Sequence, residues 1–285
     1  MSIKQIIRSR KKDLGGFFVR RLLPDSGQSM VGPWIFFDHM GPADFPAGTG
    51  IDVRPHPHIN LATVTYLFEG EVLHRDSLGN AQIIRPGDIN LMLSGKGITH
   101  SERESEEVRS TDHRLHGLQL WLALPEEHEE TEPAFYHHTS ESIPALTVDE
   151  VPVRVLIGSA YGATSPVMSY IDTLYIEAHL QPGQNLVLPA AKERALYIAS
   201  GSVRIEDLSV EQHDMAVLTD DLIGITAIKE SRIVMIGGDN PGERFIVWNF
   251  VSSRKERIQQ AKADWQAGRF PKVPGDEEEF IPFPE

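Results

Sequence analysis

The stretch RPHPHINLATVTYLFEGEVLHRDSLG, residues 54–79, is the most informative part of this sequence. Two histidines, His56 and His58, stand two positions apart at the head of an apolar run. On a β-strand, side chains at positions i and i+2 project from the same face. Two neutral imidazoles on one face offer nitrogen lone pairs to a divalent first-row metal. The stretch therefore predicts a strand that carries part of a metal site.

A second pair with the same spacing follows in GKGITHSE, residues 95–102, where His100 and Glu102 are again two positions apart. The residues between His58 and His100 include a predicted hairpin and the PGD turn at 86–88, which bring the later strand back beside the earlier one. Three imidazoles and one carboxylate would then point into one barrel. Such a set predicts a mononuclear metal site with positions left for water, dioxygen or substrate. Eight other histidines are predicted to be surface or core residues: His74, His113, His116, His128, His137, His138, His179 and His213.

The rest of the chain has the pattern of an all-β protein. Short runs rich in Val, Ile, Leu, Thr and Tyr alternate with Gly, Pro, Asp and Asn, which is typical of a sandwich or barrel. Helical periodicity is clear only near the end, where Ser252 or Ser253 is predicted to cap a helix that runs to about Ala267. Gly268 is predicted to end that helix. The acidic, proline-bearing residues 275–285 are predicted to form an extended tail.

An internal repeat predicts two barrels of similar design. YLFEGEV at 66–72 and YIASGSV at 197–203 share Tyr, Gly and Val, and further on Asp88 matches Asp214. The second-half positions that correspond to the four candidate ligands are Val187, Pro189, Thr226 and Ile228, so only the first half is predicted to bind metal. The predicted domains are residues 1–130 with the metal site, residues 131–250 without ligands, and residues 251–285 with the helix and tail.

Composition excludes several classes of function. The 285-residue chain has no cysteine, which rules out disulfides, a thiolate nucleophile and Cys-ligated metals. Its formal net charge of −14 repels phosphate backbones, so direct nucleic-acid binding is not expected. The apolar runs are shorter than a membrane span, and the N-terminus lacks the pattern of a signal peptide. These features predict a cytoplasmic protein with no membrane partner.

Several longer motifs strongly resemble the pirin family of the cupin superfamily. They are residues 54–79, PGDINLMLSGKGITHSE at 86–102 and GLQLWLALP at 117–125, with VRRLLP, VGPWIFFDHMGP and DVRPHPH in the family's order. The resemblance is close over residues 16 to about 125 and looser beyond. It implies a bicupin, that is, two cupin-type β-barrels followed by a short helix and a tail. It also implies a single iron in the N-terminal barrel, held by His56, His58, His100 and Glu102.

The resemblance also suggests an activity. Three imidazoles and a carboxylate suit Fe(II), Mn, Co, Ni, Cu or Zn, and the resemblance favours one Fe(II). Some pirins resemble flavonol dioxygenases that open quercetin with oxygen, which implies a small aromatic substrate. In that reaction Glu102, as a ligand that can loosen, is predicted to accept the proton of the substrate's 3-hydroxyl.

A second hypothesis comes from a different class of function. Pirins also resemble metal- or redox-sensing partners of other proteins. On that hypothesis the oxidation state of the metal alters the surrounding surface, and the protein acts by contact with a protein partner without turnover. The acidic charge of the chain suits a protein partner better than DNA.

Overall fold

The short apolar runs form β-strands, as the sequence predicts. A computed structural model describes residues 2–13, 17–219, 221 and 223–284. The first strands are β1 Ile3–Arg8, β2 Arg10–Asp13, β3 Phe18–Leu23, β4 Trp34–Phe45, β5 Asp52–His58, β6 Leu61–Glu69, β7 Val72–Asp76, β8 Ala81–Ile84, β9 Ile89–Leu93, β10 Ile98–Arg103, β11 His113–Ala123, β12 Ala134–His138 and β13 Ala145–Val148.

The remaining strands are β14 Val151–Ile157, β15 Ser159–Ala160, β16 Ala163–Thr164, β17 Thr173–Leu180, β18 Asn185–Val187, β19 Glu193–Ser200, β20 Ser202–Ile205, β21 Leu208–Glu211, β22 Asp214–Leu218, β23 Gly224–Ala227, β24 Ser231–Gly238, β25 Phe245–Val247 and β26 Phe250–Ser252. The helices are α1 Glu106–Arg109 and α2 Lys255–Gln266, with 3₁₀ turns at Glu126–His128 and Ser140–Ser142. Neither described helix is long and apolar enough to cross a membrane.

The chain forms two compact units, and each unit takes segments from separate parts of the sequence. The histidine unit consists of Lys12–Val19, His39–His137 and Pro241–Glu285. The apolar unit consists of Met1–Lys11, Arg20–Asp38 and His138–Asn240. These units differ from the contiguous ranges expected from the sequence, because N-terminal segments belong to the apolar unit and the C-terminal helix and tail belong to the histidine unit.

The two units have the same order of strands in their sheets, which explains the sequence repeat. A four-stranded sheet in the histidine unit has the order β5-β10-β7-β8, and one in the apolar unit has the order β18-β23-β20-β21. The larger sheets contain the matching orders β9-β6-β11-β4 and β22-β19-β24-β17. Gly70 and Gly201 occupy the same position within the repeated motif and have φ of 87° and 82°. A Cβ at either position would lie within about 2.3 Å of a backbone carbonyl oxygen, so both turns require glycine.

The correspondence also shows why the apolar unit has no equivalent site. Val187 and Thr226 lie on β18 and β23, the counterparts of β5 and β10. The interior of this unit is a continuous cluster of buried apolar side chains, which includes Leu196, Ile225 and Met235. Burial of these apolar side chains stabilises the unit.

The C-terminal helix is confirmed, but the predicted cap is wrong. Helix α2 begins at Lys255, and its N-cap is Arg254 rather than Ser252 or Ser253. The two serine hydroxyls instead donate to Glu129 Oε2, each at 3.0 Å. Both hydroxyls therefore bind a buried carboxylate, and neither caps the N-terminus of the helix.

Removal of the Glu129 carboxylate is expected to destabilise the histidine unit strongly. Glu129 is 1 % exposed and pairs with Arg244 Nε at 2.9 Å, besides accepting from the two serines. In Glu129→Ala the arginine stays buried without its counterion, which costs about 3–5 kcal/mol of unfolding free energy. Chemical denaturation measures this loss. Glu130→Gln, at an exposed neighbouring position, is the control and should cost less than about 1 kcal/mol. Equal effects of the two substitutions would contradict the assignment.

Candidate metal centre

Strands β5 and β10 bring the three predicted histidines together. They are antiparallel neighbours, with His100 opposite His56 and Ile98 opposite His58. The ring centroids of His56 and His100 are 4.3 Å apart, and that of His58 lies 5.1 Å and 5.0 Å from these two. One nitrogen from each ring lies within 4.8 Å of the others. Because metal–imidazole bonds are about 2.1 Å long, a small inward movement of the rings would let all three nitrogens bind one ion.

Two of the histidines have their tautomers fixed by backbone carbonyls. His56 Nδ1 lies 2.9 Å from the carbonyl oxygen of Arg54, and His58 Nδ1 lies 3.1 Å from that of Asn249. A carbonyl oxygen only accepts hydrogen bonds, so the proton of each neutral ring is assigned to Nδ1. The Nε2 lone pair of both rings is then available to a metal, as is usual for metal-bound histidines.

His100 gives the clearest sign that a ligand is expected here. Its side chain is fully buried, and neither ring nitrogen has a hydrogen-bond partner among the described residues. A buried polar atom without a partner costs about 1–3 kcal/mol. A coordinated metal ion would satisfy one of these nitrogens. The three histidines therefore fit a metal ion. Their rings lie close together, two of them have the required tautomer, and His100 has nitrogens without a hydrogen-bond partner among the described residues.

Burial also keeps all three imidazoles in the form that binds metal. His56 is 6 % exposed, and burial lowers its pKa to about 4. Burial lowers the pKa of His58 and of His100 well below the ordinary value of 6.5. At pH 7 the rings are neutral, so a metal does not have to displace protons from them.

The metal-free protein is expected to lose stability as the pH falls from 6.5 to about 4. In this range the unfolded chain protonates His56 and the folded chain does not, so the unfolded state binds more protons and is favoured by lower pH. Each histidine contributes about 1.4 kcal/mol per pH unit over the range where the two states differ. Urea unfolding of the metal-free protein at a series of pH values measures this slope. His56→Phe should reduce the slope by about one histidine's contribution. An unchanged slope would show that burial does not lower the pKa of His56.

Glu102, the fourth predicted ligand, makes a different set of contacts. A register shift separates it from His100 in the pairing with β5, and such a bulge re-aims a side chain. Its carboxylate accepts a hydrogen bond from the side chain of Gln119, whose Oε1 in turn accepts from the Thr65 hydroxyl at 2.8 Å. The described ligand atoms within 4.8 Å of one another are those of the three histidines and not that of Glu102. Its role as a ligand therefore stays a prediction.

The protonation of Glu102 is unusual for a carboxylic acid. Burial raises its pKa from 4.5 to about 7, although the hydrogen bond from Gln119 opposes this shift. Near neutral pH the group is thus divided between its acid and base forms. A side chain with this property can accept a proton and later release it.

His74, which is predicted from the sequence to be a surface or core residue, is buried beside the histidine cluster. Its ring is buried and its centroid lies 5.3 Å from that of His100. His74 Nε2 lies 3.0 Å from Asp76 Oδ2, and the ring stacks on Phe135 at 4.4 Å. His74 and Asp76 have the same i, i+2 spacing as His56 and His58. The sequence LHRD in β7 therefore contained a pattern from which this polar pair could have been predicted. His74 and Asp76 thus form a buried polar pair next to His100.

Comparison with known proteins identifies the family and agrees with the fold. The Pirin family model matches residues 16–122, and the model of the Pirin C-terminal cupin domain matches residues 175–271. A Pirin-like protein of Caulobacter vibrioides is 46 % identical over 288 residues, covering 99 % of this chain and all of its own length. Pirin of Homo sapiens is 33 % identical over 272 residues, covering 91 % of this chain and 90 % of its own.

A solved structure shows the same similarity in three dimensions. The crystal structure of Quercetin 2,3-dioxygenase from Acinetobacter baumannii superposes with a TM-score of 0.91 at 32 % sequence identity. The match covers 99 % of this chain and 95 % of that one. The all-β architecture with two cupin domains is thereby confirmed. Family models over both halves, together with full-length relatives, show that this chain belongs to the pirin family.

Proposed function

We propose that this protein is an iron-dependent dioxygenase that opens the ring of a flavonol such as quercetin. The observation that carries the proposal is the buried centre of three neutral histidines, with a carboxyl group of pKa about 7 two residues along the same strand. The similarity to Quercetin 2,3-dioxygenase from Acinetobacter baumannii supports the choice of substrate class.

The chain's own residues divide the work of such a reaction. His56, His58 and His100 would hold the metal, and the carbonyls of Arg54 and Asn249 fix two of their rings. When bound, the metal supplies a Lewis acid for the flavonol hydroxyl and a redox partner for dioxygen. Burial of the three rings keeps bulk water away from the centre.

Glu102 is proposed as the group that accepts the proton of the substrate's 3-hydroxyl. Its pKa of about 7 matches a base that works near neutral pH. The side-chain amide of Gln119 donates a hydrogen bond to the carboxylate of Glu102, and the Thr65 hydroxyl orients that amide by donating to its Oε1. The aromatic ring of Trp121 packs edge-to-face on His58 at 4.9 Å, so the centre also has an apolar side.

The depth of the centre favours an enzyme over a sensor that acts without turnover. A sensor must transmit a change of the metal to a surface that a protein partner can contact. The three rings here are at most 6 % exposed, and they lie among other buried side chains. Such a buried environment strengthens the electrostatic interactions that promote a chemical step.

Oxygen uptake and quercetin consumption, followed together, test the proposal. Protein purified anaerobically is loaded with Fe(II), and the loss of quercetin's visible absorbance is compared with the oxygen consumed. Equal consumption of both, lost in His58→Ala and kept in His179→Ala in the apolar unit, is the expected result. Bound iron with no consumption of either would overturn the proposal and favour a metal sensor that acts through a protein partner.

A further inference from the structure

The outer face of the strands that carry the histidines has a groove of its own. Along β5 and β10 the residues next to His56 and His100 are Pro55 and Thr99, which alternation places on the opposite face from the imidazoles. The C-terminal tail crosses this face, and Ile281 N donates to the carbonyl oxygen of Pro55 at 2.8 Å. The groove is therefore separate from the metal centre, although it shares two strands with it.

The groove has the size and walls of a small-molecule site. Its volume is about 520 Å³, within the range of about 300–1,000 Å³ that is usual for ligand pockets. Trp265, Phe270, Phe280 and Phe283 supply aromatic walls. Trp265 is fixed because its Nε1 donates to the carbonyl oxygen of Ile281 at 3.0 Å. Phe280 is 56 % exposed, so an aromatic surface remains available for contact.

Acidic side chains outnumber basic ones in the groove. Residues 276–279 place four consecutive carboxylates along it, against a single lysine, Lys272. Arg103 binds Asp276 through two nitrogens at 2.8 Å and Glu279 at 3.2 Å, and this still leaves acid in excess. Glu277 and Glu278 are both exposed at the rim.

Thr99 gives an independent sign of a ligand. It lines the groove and is only 2 % exposed, yet its hydroxyl has no hydrogen-bond partner among the described residues. A buried hydroxyl without a partner is rare and costs free energy. A ligand that donates an N–H would satisfy it.

We propose that this groove binds a small organic cation, namely an aromatic or aliphatic group that carries an ammonium. Aromatic faces attract cations, carboxylates at the rim favour them, and an ammonium N–H is a donor for the Thr99 hydroxyl. The same chemistry already occurs beside the groove, where Lys262 Nζ lies 4.5 Å from the centroid of Phe283. The inference is independent of the reaction proposed for the metal centre.

Three matched probes test the charge of the ligand. The full chain with its metal bound is titrated by calorimetry with phenethylammonium, with 2-phenylethanol as the neutral analogue and with phenylacetate as the anionic one. Phenethylammonium is expected to bind saturably at low millimolar concentration and at least about five-fold more tightly than the alcohol, with the weakest binding for the carboxylate. Equal binding of all three, or no saturable binding of the ammonium, would overturn the proposal.

Substitutions in the groove test the location of binding. Glu277→Gln with Glu278→Gln is expected to weaken phenethylammonium binding at least about three-fold, because two rim charges are removed. Thr99→Val, which keeps the side-chain shape, should also weaken it. Glu126→Gln with Glu127→Gln, an exposed acidic pair of the same unit that does not line the groove, changes the net charge equally and is the control. Loss of affinity in the control equal to that in the rim variant would overturn the assigned location.

Discussion

Replacement of His100 by phenylalanine is expected to abolish tight metal binding while the metal-free protein stays at least as stable as the unsubstituted one. Phenylalanine keeps the approximate ring volume but removes both nitrogens, which are buried without partners. Loss of residues that only orient metal ligands costs about 10–100-fold in affinity, so loss of a ligand should cost at least about 100-fold. Removal of two unsatisfied polar atoms, in contrast, removes a folding cost.

Two measurements separate these effects. Metal content after dialysis, read by mass spectrometry, gives the loss of binding, and chemical denaturation of the metal-free proteins gives the stability. His179→Ala is the control for metal content, because His179 lies in the apolar unit. His100→Phe with wild-type metal content would show that His100 is not a ligand.

Replacement of Glu102 by glutamine is expected to lower turnover of quercetin about 10²–10⁴-fold, the usual contribution of a positioned base. Glutamine has nearly the same shape, so the three histidines should keep their metal. The wild-type rate should rise with pH through about 7, because the carboxylate must be ionised to accept a proton. The variant should lose this dependence.

Steady-state rates measured over pH, at equal metal content, decide the point. Glu104→Gln is a matched control, since Glu104 is also buried with a raised pKa but bonds to His113 at 3.1 Å. Its pH profile should resemble that of the unsubstituted protein. Full turnover of Glu102→Gln would show that another group accepts the proton. Loss of the metal from this variant would show instead that Glu102 is mainly a ligand.

Spacing in the sequence predicts the part of the site that depends on strand geometry. His56, His58 and His100 come together because alternation along β5 and β10 puts them on one face of adjacent strands. The repeat around Tyr66 and Tyr197 predicts the shared order of strands, because both its glycines need a positive φ. Local periodicity is enough for such features.

Features that depend on distant backbone or on irregular strands were not predictable. The carbonyl that fixes the His58 ring belongs to Asn249. Every residue has a backbone carbonyl, so the amino-acid sequence does not reveal which one accepts this hydrogen bond. The register shift before Glu102 changes its surroundings without a change in spacing. The cap of helix α2 differs because Glu129, more than 120 residues earlier, takes both serine hydroxyls.

We propose that three histidines of the histidine unit hold one metal ion. X-ray absorption at the iron edge, on protein loaded with one equivalent of Fe(II), tests this proposal. The spectrum is expected to show scattering from three imidazole rings, and this scattering should fall in His56→Phe, which lacks one ligand and binds the ion more weakly. A spectrum with oxygen neighbours alone, or one that His56→Phe, His58→Ala and His100→Phe all leave unchanged, would contradict the claim.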